Sequence, residues 1–134
     1  MTVMAAPDEP RLRAIWSAGL TVNGVEDLPP YPGAAETFIA FINRQAFWLA
    51  ELYLGESFVP FRQLMPRIAL RPLVLVAGGL DPYEADFNRA YAPLLGESGS
   101  LWVIESARHV GGLTAEPEAY RARMIGLFNA ALMQ

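Results

Sequence analysis

Residues 72–84 read PLVLVAGGLDPYE, an aliphatic run followed by two glycines and an Asp-Pro pair. Residues 72–77 form a continuous aliphatic run without polar alternation, which is typical of a strand covered on both faces in a parallel sheet. The Gly78-Gly79 pair ends that strand. An amphipathic helix is predicted over residues 82–95, and its apolar side would be formed by Phe87, Ala90, Tyr91 and Leu94.

The rest of the second half repeats this order of strand and helix. Residues 101–104 (LWVI) predict another short buried strand, and residues 117–133 predict a helix with Pro117 in its first turn, where proline is tolerated. Its apolar side would be formed by Ile125, Leu127, Phe128 and Leu132. Earlier in the chain, residues 11–19 (RLRAIWSAG) fit a buried strand of about six residues that ends at a glycine.

The order strand, helix, strand, helix predicts an α/β fold with a mostly parallel sheet, helices on both faces and right-handed crossovers. Only three strands are predicted, however, and three parallel strands make a poor core on their own. We therefore expect the chain to be part of something larger.

The segment between the first two strands is predicted to be mainly helical. Residues 21–33 predict a loop, because Asn23-Gly24, Pro29-Pro30 and Pro32-Gly33 are turn signals. Residues 34–54 predict a helix that Gly55 ends, with apolar side chains near the helical period: Phe38, Phe41, Ile42, Trp48, Leu49 and Leu52. Residues 58–68 predict a shorter helical or irregular piece closed by Pro66. We interpret residues 34–68 as buried or lid-type helices.

The composition restricts the classes of function. A length of 134 residues fits one domain, 1–134, and 53% hydrophobic with 18% charged residues excludes a disordered chain. A net charge of -4 offers no basic surface for nucleic acid or an anionic membrane. Without cysteine there is no disulfide or thiolate metal site, and a single histidine excludes a multi-histidine metal site. Polar residues interrupt the apolar stretch 37–54, and residues 1–11 show no signal peptide. We expect a soluble, cytoplasmic domain.

Two residues with catalytic chemistry follow the ends of predicted strands. Asp81 lies four residues after the strand that ends at Ala77, and His109 lies five residues after the strand that ends at Ile104. Ligand sites of open α/β sheets lie beyond the carboxyl ends of the strands, so these loops can meet there. A carboxylate that accepts from one imidazole nitrogen leaves the other free to act as a base. The non-catalytic alternatives are a loop histidine and an aspartate that caps the helix starting at Pro82.

These segments resemble the last two strand–helix units of an α/β-hydrolase, in the style of the dienelactone-hydrolase-like members. PLVLVAGGLDPYE is similar to the strand and loop that carry the family's acid, and LWVIESARHVGGLTAEPEAYRARMIGLFNAAL resembles its histidine loop and closing helix. EPRLRAIWSAG resembles the strand after the nucleophile helix, and residues 34–68 occupy the usual lid insertion. The resemblance implies that Asp81 orients His109, that His109 is the general base, and that no metal or organic cofactor is required. Glu84, one turn further on, is the alternative acid.

The family's nucleophile elbow, G-x-S-x-G, is missing from this sequence. The nearest match places Ser17 in Ile15-Trp-Ser-Ala-Gly19, where a β-branched residue replaces the first glycine and a loop follows instead of a helix. Ser17 is therefore a weak nucleophile candidate, and a serine or cysteine upstream would be needed to attack an ester or similar acyl substrate. We expect the chain alone to be inactive. The alternative function is a non-catalytic partner or pseudoenzyme that completes its sheet with another chain or a second copy.

Overall fold

Three parallel strands form the centre of the computed structural model, which describes residues 2–28, 33–68 and 70–133. They are β1 (Ile15–Ala18), β2 (Leu73–Gly78) and β3 (Gly99–Ile104), and they are adjacent in the order β1-β2-β3. Leu75 of β2 is in register with Ser17 on one side and with Leu101 on the other. The predicted α/β fold with a parallel sheet is confirmed for the described residues, although β1 is shorter than predicted.

Six α-helices and three short 3-10 turns accompany the described strands. The helices are α1 (Thr2–Ala5), α2 (Ala34–Leu54), α3 (Phe61–Ile68), α4 (Pro82–Tyr91), α5 (Gly112–Ala115) and α6 (Pro117–Leu132), and the 3-10 turns are Ala6–Asp8, Val25–Asp27 and Ala92–Leu94. Helix α2 has the predicted bounds, and the left-handed Gly55 (φ 69°) ends it. Helix α3 continues past Pro66 to Ile68, so that proline does not close it. The turn signals at residues 29–32 lie outside the described residues.

One side of the sheet, the closed face, carries Ile15, Leu73, Leu75 and Leu101. Helices α1, α3 and α4 cover it and bury the main core with it. The helical side chains of this core are almost completely excluded from solvent: Val3, Phe61, Leu64, Met65, Ile68 and Tyr91. On α4 the buried positions are Glu84, Ala85, Asn88 and Tyr91, whereas Ala90, which we predicted on the apolar side, is exposed.

The other side, the open face, carries Trp16, Ala18, Val74, Val76 and Trp102. The main cover is Tyr120 of α6, which packs edge-on against Trp16 with ring centroids 5.1 Å apart and accepts a hydrogen bond from its indole N–H at 2.8 Å. Further along α6, the predicted apolar side does not pack as expected. Ile125, Phe128 and Leu132 are exposed, and Ala131 is the buried residue of this helix. The open face is therefore only partly covered by the described residues.

Helix α2 lies outside both layers and rests on the loop that precedes it. It contacts the 3-10 turn Val25–Asp27, and its Phe47 packs edge-on against Phe58. The six apolar side chains from which we predicted a buried or lid-type helix are between 48% and 67% exposed, so the prediction of a buried helix is wrong for these side chains. In the part of the chain that the structure describes, no helix is long and apolar enough to span a bilayer.

Candidate active site

Glycine at the end of β2 allows the loop after β3 to cross directly over it. A Cβ on Gly78 would lie 2.5 Å from the carbonyl oxygen of Arg108, a distance that no side chain can occupy. Two backbone hydrogen bonds then join the loops, from Gly79 N–H to the Ile104 carbonyl (2.9 Å) and from Leu80 N–H to the Ala107 carbonyl (3.0 Å). These contacts bring the loop that carries His109 against the start of α4.

Glu84 and His109 form a hydrogen-bonded pair at this edge of the sheet. The Glu84 side chain is only 1% exposed, and its Oε2 lies 2.6 Å from Nδ1 of His109, whose side chain is 53% exposed. The second oxygen, Oε1, accepts the Gly78 backbone N–H at 2.9 Å. A carboxylate that accepts this hydrogen bond requires Nδ1 to be the donor, and in the neutral form of the ring Nε2 then carries no proton. Such a pair can act as an oriented general base.

Asp81 does not make the hydrogen bond to His109 that the resemblance implied. Its Oδ1 accepts the backbone N–H of Glu84 at 3.2 Å and caps α4, with Pro82 in the first turn. The physical reason is that Asp81 is the N-cap residue of α4, so its side chain folds back onto the N–H of the third helical residue. Glu84, at that third position, bonds instead to the Gly78 N–H and to His109. The Asp-Pro start of α4 was visible in the sequence as an N-cap signal, and it favoured a capping role for Asp81 without showing that Glu84 faces His109.

The imidazole also lies over the end of β1. Gly19 has a φ of 74°, and a Cβ there would lie 2.9 Å from Cε1 of His109 and 3.3 Å from its Nδ1. Loops following all three strands thus meet at His109, and sequence reasoning missed the contribution of β1. The next residue, Val110, has a φ of 52°, which is a strained conformation for a β-branched residue. Backbone strain of this kind is often found beside functional side chains.

Ser17 lies within β1, two residues before Gly19. It is half-buried and lines a cleft of about 240 Å³ with Val3, Leu20 and Phe61 on the closed face. Among the described residues no hydrogen bond joins it to His109. A strand residue of this kind lacks the exposed strand-to-helix turn of a nucleophile elbow. The structure therefore brings together Glu84, Asp81 and His109 and leaves Ser17 out of that group.

A recess of about 630 Å³ opens beside the imidazole, lined by Leu80, Asp81, Pro82, Arg108 and His109. It is the space from which a substrate could approach His109. Leu80 is exposed and gives the recess an apolar wall, whereas Asp81 and Arg108 give it charged ones. A small acyl group would fit it by volume, since ligand pockets of about 300–1,000 Å³ are usual.

Asp81, Glu84 and His109 are also a group that could hold a metal ion, since their ligand atoms lie within 4.8 Å of one another. Two ligands of a tetrahedral zinc ion, each about 2.0 Å from the metal, lie about 3.3 Å apart. The 2.6 Å between Glu84 Oε2 and His109 Nδ1 is shorter and is typical of a charge-assisted hydrogen bond. The distance between these two atoms therefore fits a hydrogen bond and not two ligands of one tetrahedral zinc ion.

Comparison with known proteins adds no family assignment. The sequence matches no protein-family model, and neither the curated proteins nor the solved structures compared with it gave a match.

Proposed function

We propose that Glu84 and His109 are the acid and base of an acyl-bond hydrolase of the α/β-hydrolase type, with Glu84 in the role that the sequence resemblance implied for Asp81. The observation that carries the proposal is the 2.6 Å contact between a fully buried carboxylate and Nδ1 of a half-exposed histidine, at the carboxyl ends of adjacent parallel strands. The Gly78 N–H bond to Oε1 supports it, because this bond fixes the carboxylate independently of the histidine.

In the proposed reaction, Nε2 of His109 takes the proton from a serine hydroxyl or cysteine thiol as that group attacks the acyl carbon. Glu84 stabilises the resulting imidazolium, which then gives the proton to the departing alkoxide, thiolate or amine. In the second half, Nε2 removes a proton from the water that attacks the acyl intermediate, and returns that proton to the nucleophile. No metal or organic cofactor takes part in these steps.

The nucleophile would come from polypeptide beside β1. Ile15 N–H and Gly19 N–H bond to the Pro72 and Val76 carbonyls, so the backbone groups of Trp16 and Ala18 point to the opposite edge of β1. Among the described residues, β1 pairs with β2 alone. A parallel strand added at that edge would end next to Gly19, over which the imidazole lies. Residues 34–68, inserted between β1 and β2, would then be the lid of this site.

The first test asks which carboxylate orients the imidazole. His109 is the single histidine, so its ¹⁵N chemical shifts report one tautomer without overlap. We expect the Nδ1–H form in the wild-type protein and in Asp81→Asn. Glu84→Gln should give a mixture of the two tautomers, because an amide can donate to or accept from Nδ1. If Asp81→Asn changes the tautomer while Glu84→Gln leaves it alone, the assignment of Glu84 as the acid is wrong.

The second test addresses the reaction. We expect the chain alone to hydrolyse p-nitrophenyl butyrate no faster than free imidazole at the same concentration, because the nucleophile and oxyanion donors are not among its site residues. The reading frame upstream of the Met1 codon should contain a nucleophile elbow, either G-x-S-x-G or the same motif with cysteine in place of serine. In that longer protein, Glu84→Gln should lower kcat roughly a thousandfold or more, whereas Asp81→Asn should lower it less than about tenfold. A frame without an elbow would contradict the hydrolase proposal.

A second function, a non-catalytic partner that completes its sheet with another chain, is favoured by one observation. The described residues cover the open face only in part and leave the outer edge of β1 unpaired. Hydrogen–deuterium exchange at the Trp16 and Ala18 amides discriminates the two. Protection that depends on a partner chain carrying no serine or cysteine nucleophile favours the second function.

A further inference from the structure

Helix α2 carries a continuous apolar stripe on the side that faces solvent. The stripe consists of positions three, four or seven residues apart along the helix, and its members are Phe38, Phe41, Ile42, Gln45, Trp48, Leu49 and Leu52. Each of these side chains is exposed, and the six apolar ones are between 48% and 67% exposed. Such spacing keeps one face of a helix aligned over its whole length.

The opposite side of α2 is held against the rest of the molecule. Phe47 packs edge-on against Phe58 with ring centroids 5.9 Å apart, and Glu51 accepts the Phe58 backbone N–H at 2.9 Å. Asn43 and Phe47 line a groove of about 530 Å³ that they share with Tyr83 and Phe87 of α4. The stripe is thus exposed although the opposite side of its helix is packed. A rotation of α2 about its axis that buried the stripe would expose Phe47 to solvent.

The stripe is symmetric about Gln45. Its apolar members lie three, four and seven residues before this glutamine (Ile42, Phe41, Phe38) and three, four and seven residues after it (Trp48, Leu49, Leu52). If two copies of α2 lie antiparallel with Gln45 at the centre, Phe38 meets Leu52, Phe41 meets Leu49, and Ile42 meets Trp48. A two-fold interface requires this self-complementarity. A single polar residue in such a seam fixes register, and here the two glutamine amides would bond to each other on the axis.

The size of the stripe fits a dimer. The three aromatic side chains of the stripe can bury about 150–250 Å² each and its isoleucine and two leucines less, so six that are about half exposed or more offer on the order of 600 Å² per copy. A standard stable interface buries about 800 Å² per partner. A lipid surface is a poorer fit, because amphipathic membrane helices have lysine and arginine on their polar face. This chain has no lysine, its net charge is -4, and the face of α2 opposite the stripe is packed on its own protein.

We propose that the apolar stripe of α2 is a self-association surface, and that its occupant is the α2 helix of a second copy, antiparallel and centred on Gln45. This inference does not depend on the proposed hydrolase function, and the surface lies on α2 rather than at the open edge of β1.

Sedimentation velocity from about 1 to about 100 µM tests the association. We expect a monomer–dimer equilibrium, weakened at least a hundredfold by Leu49→Glu, because each dimer would then bury two unpaired carboxylates. Leu54→Glu is the matched control: it makes the same substitution on the same helix at an equally exposed position on the side opposite the stripe, and it should leave the equilibrium within about threefold. Circular dichroism should show all three proteins equally folded.

Cysteine cross-linking tests the direction and register, and it is clean because the chain has no native cysteine. Gln45→Cys should form an intermolecular disulfide with itself under mild oxidation. Leu52→Cys should do so at least tenfold more slowly, since its two copies would lie about 21 Å apart, but it should cross-link readily when mixed with Phe38→Cys. A parallel pair would instead cross-link Leu52→Cys with itself as fast as Gln45→Cys, and this would overturn the proposed arrangement.

Other occupants give distinct results. A monomer at every concentration overturns the self-association proposal. If that monomer binds neutral phosphatidylcholine vesicles and Leu49→Glu abolishes the binding, the stripe serves a lipid surface instead. The dimer could instead form through the edge of β1. In that case Leu49→Glu would leave it unchanged, and the Trp16 and Ala18 amides would become protected from hydrogen–deuterium exchange as it forms. This result would also overturn the proposal.

Discussion

The closed and open faces of the sheet differ in how completely the described residues cover them. On the closed face, helices α1, α3 and α4 exclude solvent from Leu73 and Leu75 and from the helical side chains that meet them. On the open face, Trp16 and Trp102 are only half-buried, and one tyrosine of α6 provides the main contact. The same three strands supply both faces, so the difference arises from the helices and not from the sheet.

This difference indicates where the free energy of folding comes from. Apolar burial stabilises by roughly 25 cal/mol per Å² removed from water, so the closed face contributes most of it. The open face retains large rings that further polypeptide could cover, in agreement with the proposal that a strand pairs with the edge of β1. The hydrogen-bonded Glu84–His109 pair lies at the end of the sheet, where the closed-face helix α4 supplies Glu84 and the loop after β3 supplies His109.

The largest expected effect compares neighbouring positions of β2 that point to opposite faces. Leu75→Ala should lower the free energy of unfolding by about 4 kcal/mol, because the side chain is fully buried among closed-face residues. Val74→Ala, on the half-buried open side, should cost about 1 kcal/mol. Urea denaturation of both variants measures the difference. Equal losses would mean that the open face is as much a core as the closed face, and the comparison would fail.

Much of this fold could be predicted because its signals are local. Four predictions from the sequence were confirmed: the strand β2, the end of α2 at Gly55, and the helix starts at Pro82 and Pro117. What failed was the assignment of faces. The apolar helix α2 was expected to be buried or to form a lid, yet periodicity shows only that a helix has an apolar side, and not which neighbour covers it. For α2 and the later part of α6, the described residues provide no such neighbour.

The position of the candidate site was predicted from the sequence, but the contacts among its residues were not. The sequence located the strand ends and named His109, Asp81 and Glu84. It could not rank the two carboxylates, since that depends on the direction in which the first turn of α4 aims them. Gly19 could not be connected to His109 either, because the contact crosses about 90 residues of sequence and depends on the stacking of three strand ends. Whether these residues catalyse a reaction stays a prediction.

A buried carboxylate that ties a loop to the closed face gives the next largest effect. Asp27 is fully buried and accepts three backbone N–H groups, from Asn23 (3.0 Å), Phe61 (2.7 Å) and Arg62 (3.0 Å). Asp27→Ala leaves all three without a partner and should cost about 3 kcal/mol in urea denaturation. The adjacent Glu26, whose bond to Gln63 is exposed, is the control, and Glu26→Ala should cost less than about 0.5 kcal/mol. Similar losses for both variants would show that burial of Asp27 is unimportant.

Alkaline pH should weaken the closed face through Tyr91. Burial, with a smaller effect of the Asp27 carboxylate, raises the pKa of this phenol well above its ordinary value of about 10. The folded state therefore holds the proton that the unfolded state releases. Stability should be intact below pH 10 and fall by about 1.4 kcal/mol per pH unit above it. The chain has no lysine or cysteine, so tyrosines dominate titration in this range.

The control for this pH dependence is Tyr91→Phe. At neutral pH it loses the hydrogen bond from the phenol to the Thr21 carbonyl (2.6 Å) and should be about 1 kcal/mol less stable than wild type. Above pH 10 its stability should decline less steeply, so the two curves should converge. Parallel curves between pH 9 and pH 12, measured by thermal unfolding, would show that Tyr91 does not carry the effect.

The smallest expected effect lies on the open face, at the contact between α6 and the sheet. The Arg123 guanidinium lies 4.2 Å from the centre of the Trp102 ring, and at an exposed position such a cation–π contact contributes about 0.5 to 1 kcal/mol. Arg123→Ala should lose slightly less, since alanine is the better helix former. Arg121 is also exposed on α6, but no such contact with an aromatic ring is found for it among the described residues. Arg121→Ala should therefore be neutral or slightly stabilising, because alanine is the better helix former. A loss above about 2 kcal/mol for Arg123→Ala alone, in thermal unfolding, would mean that this single helix anchors the open face as firmly as three helices anchor the closed one.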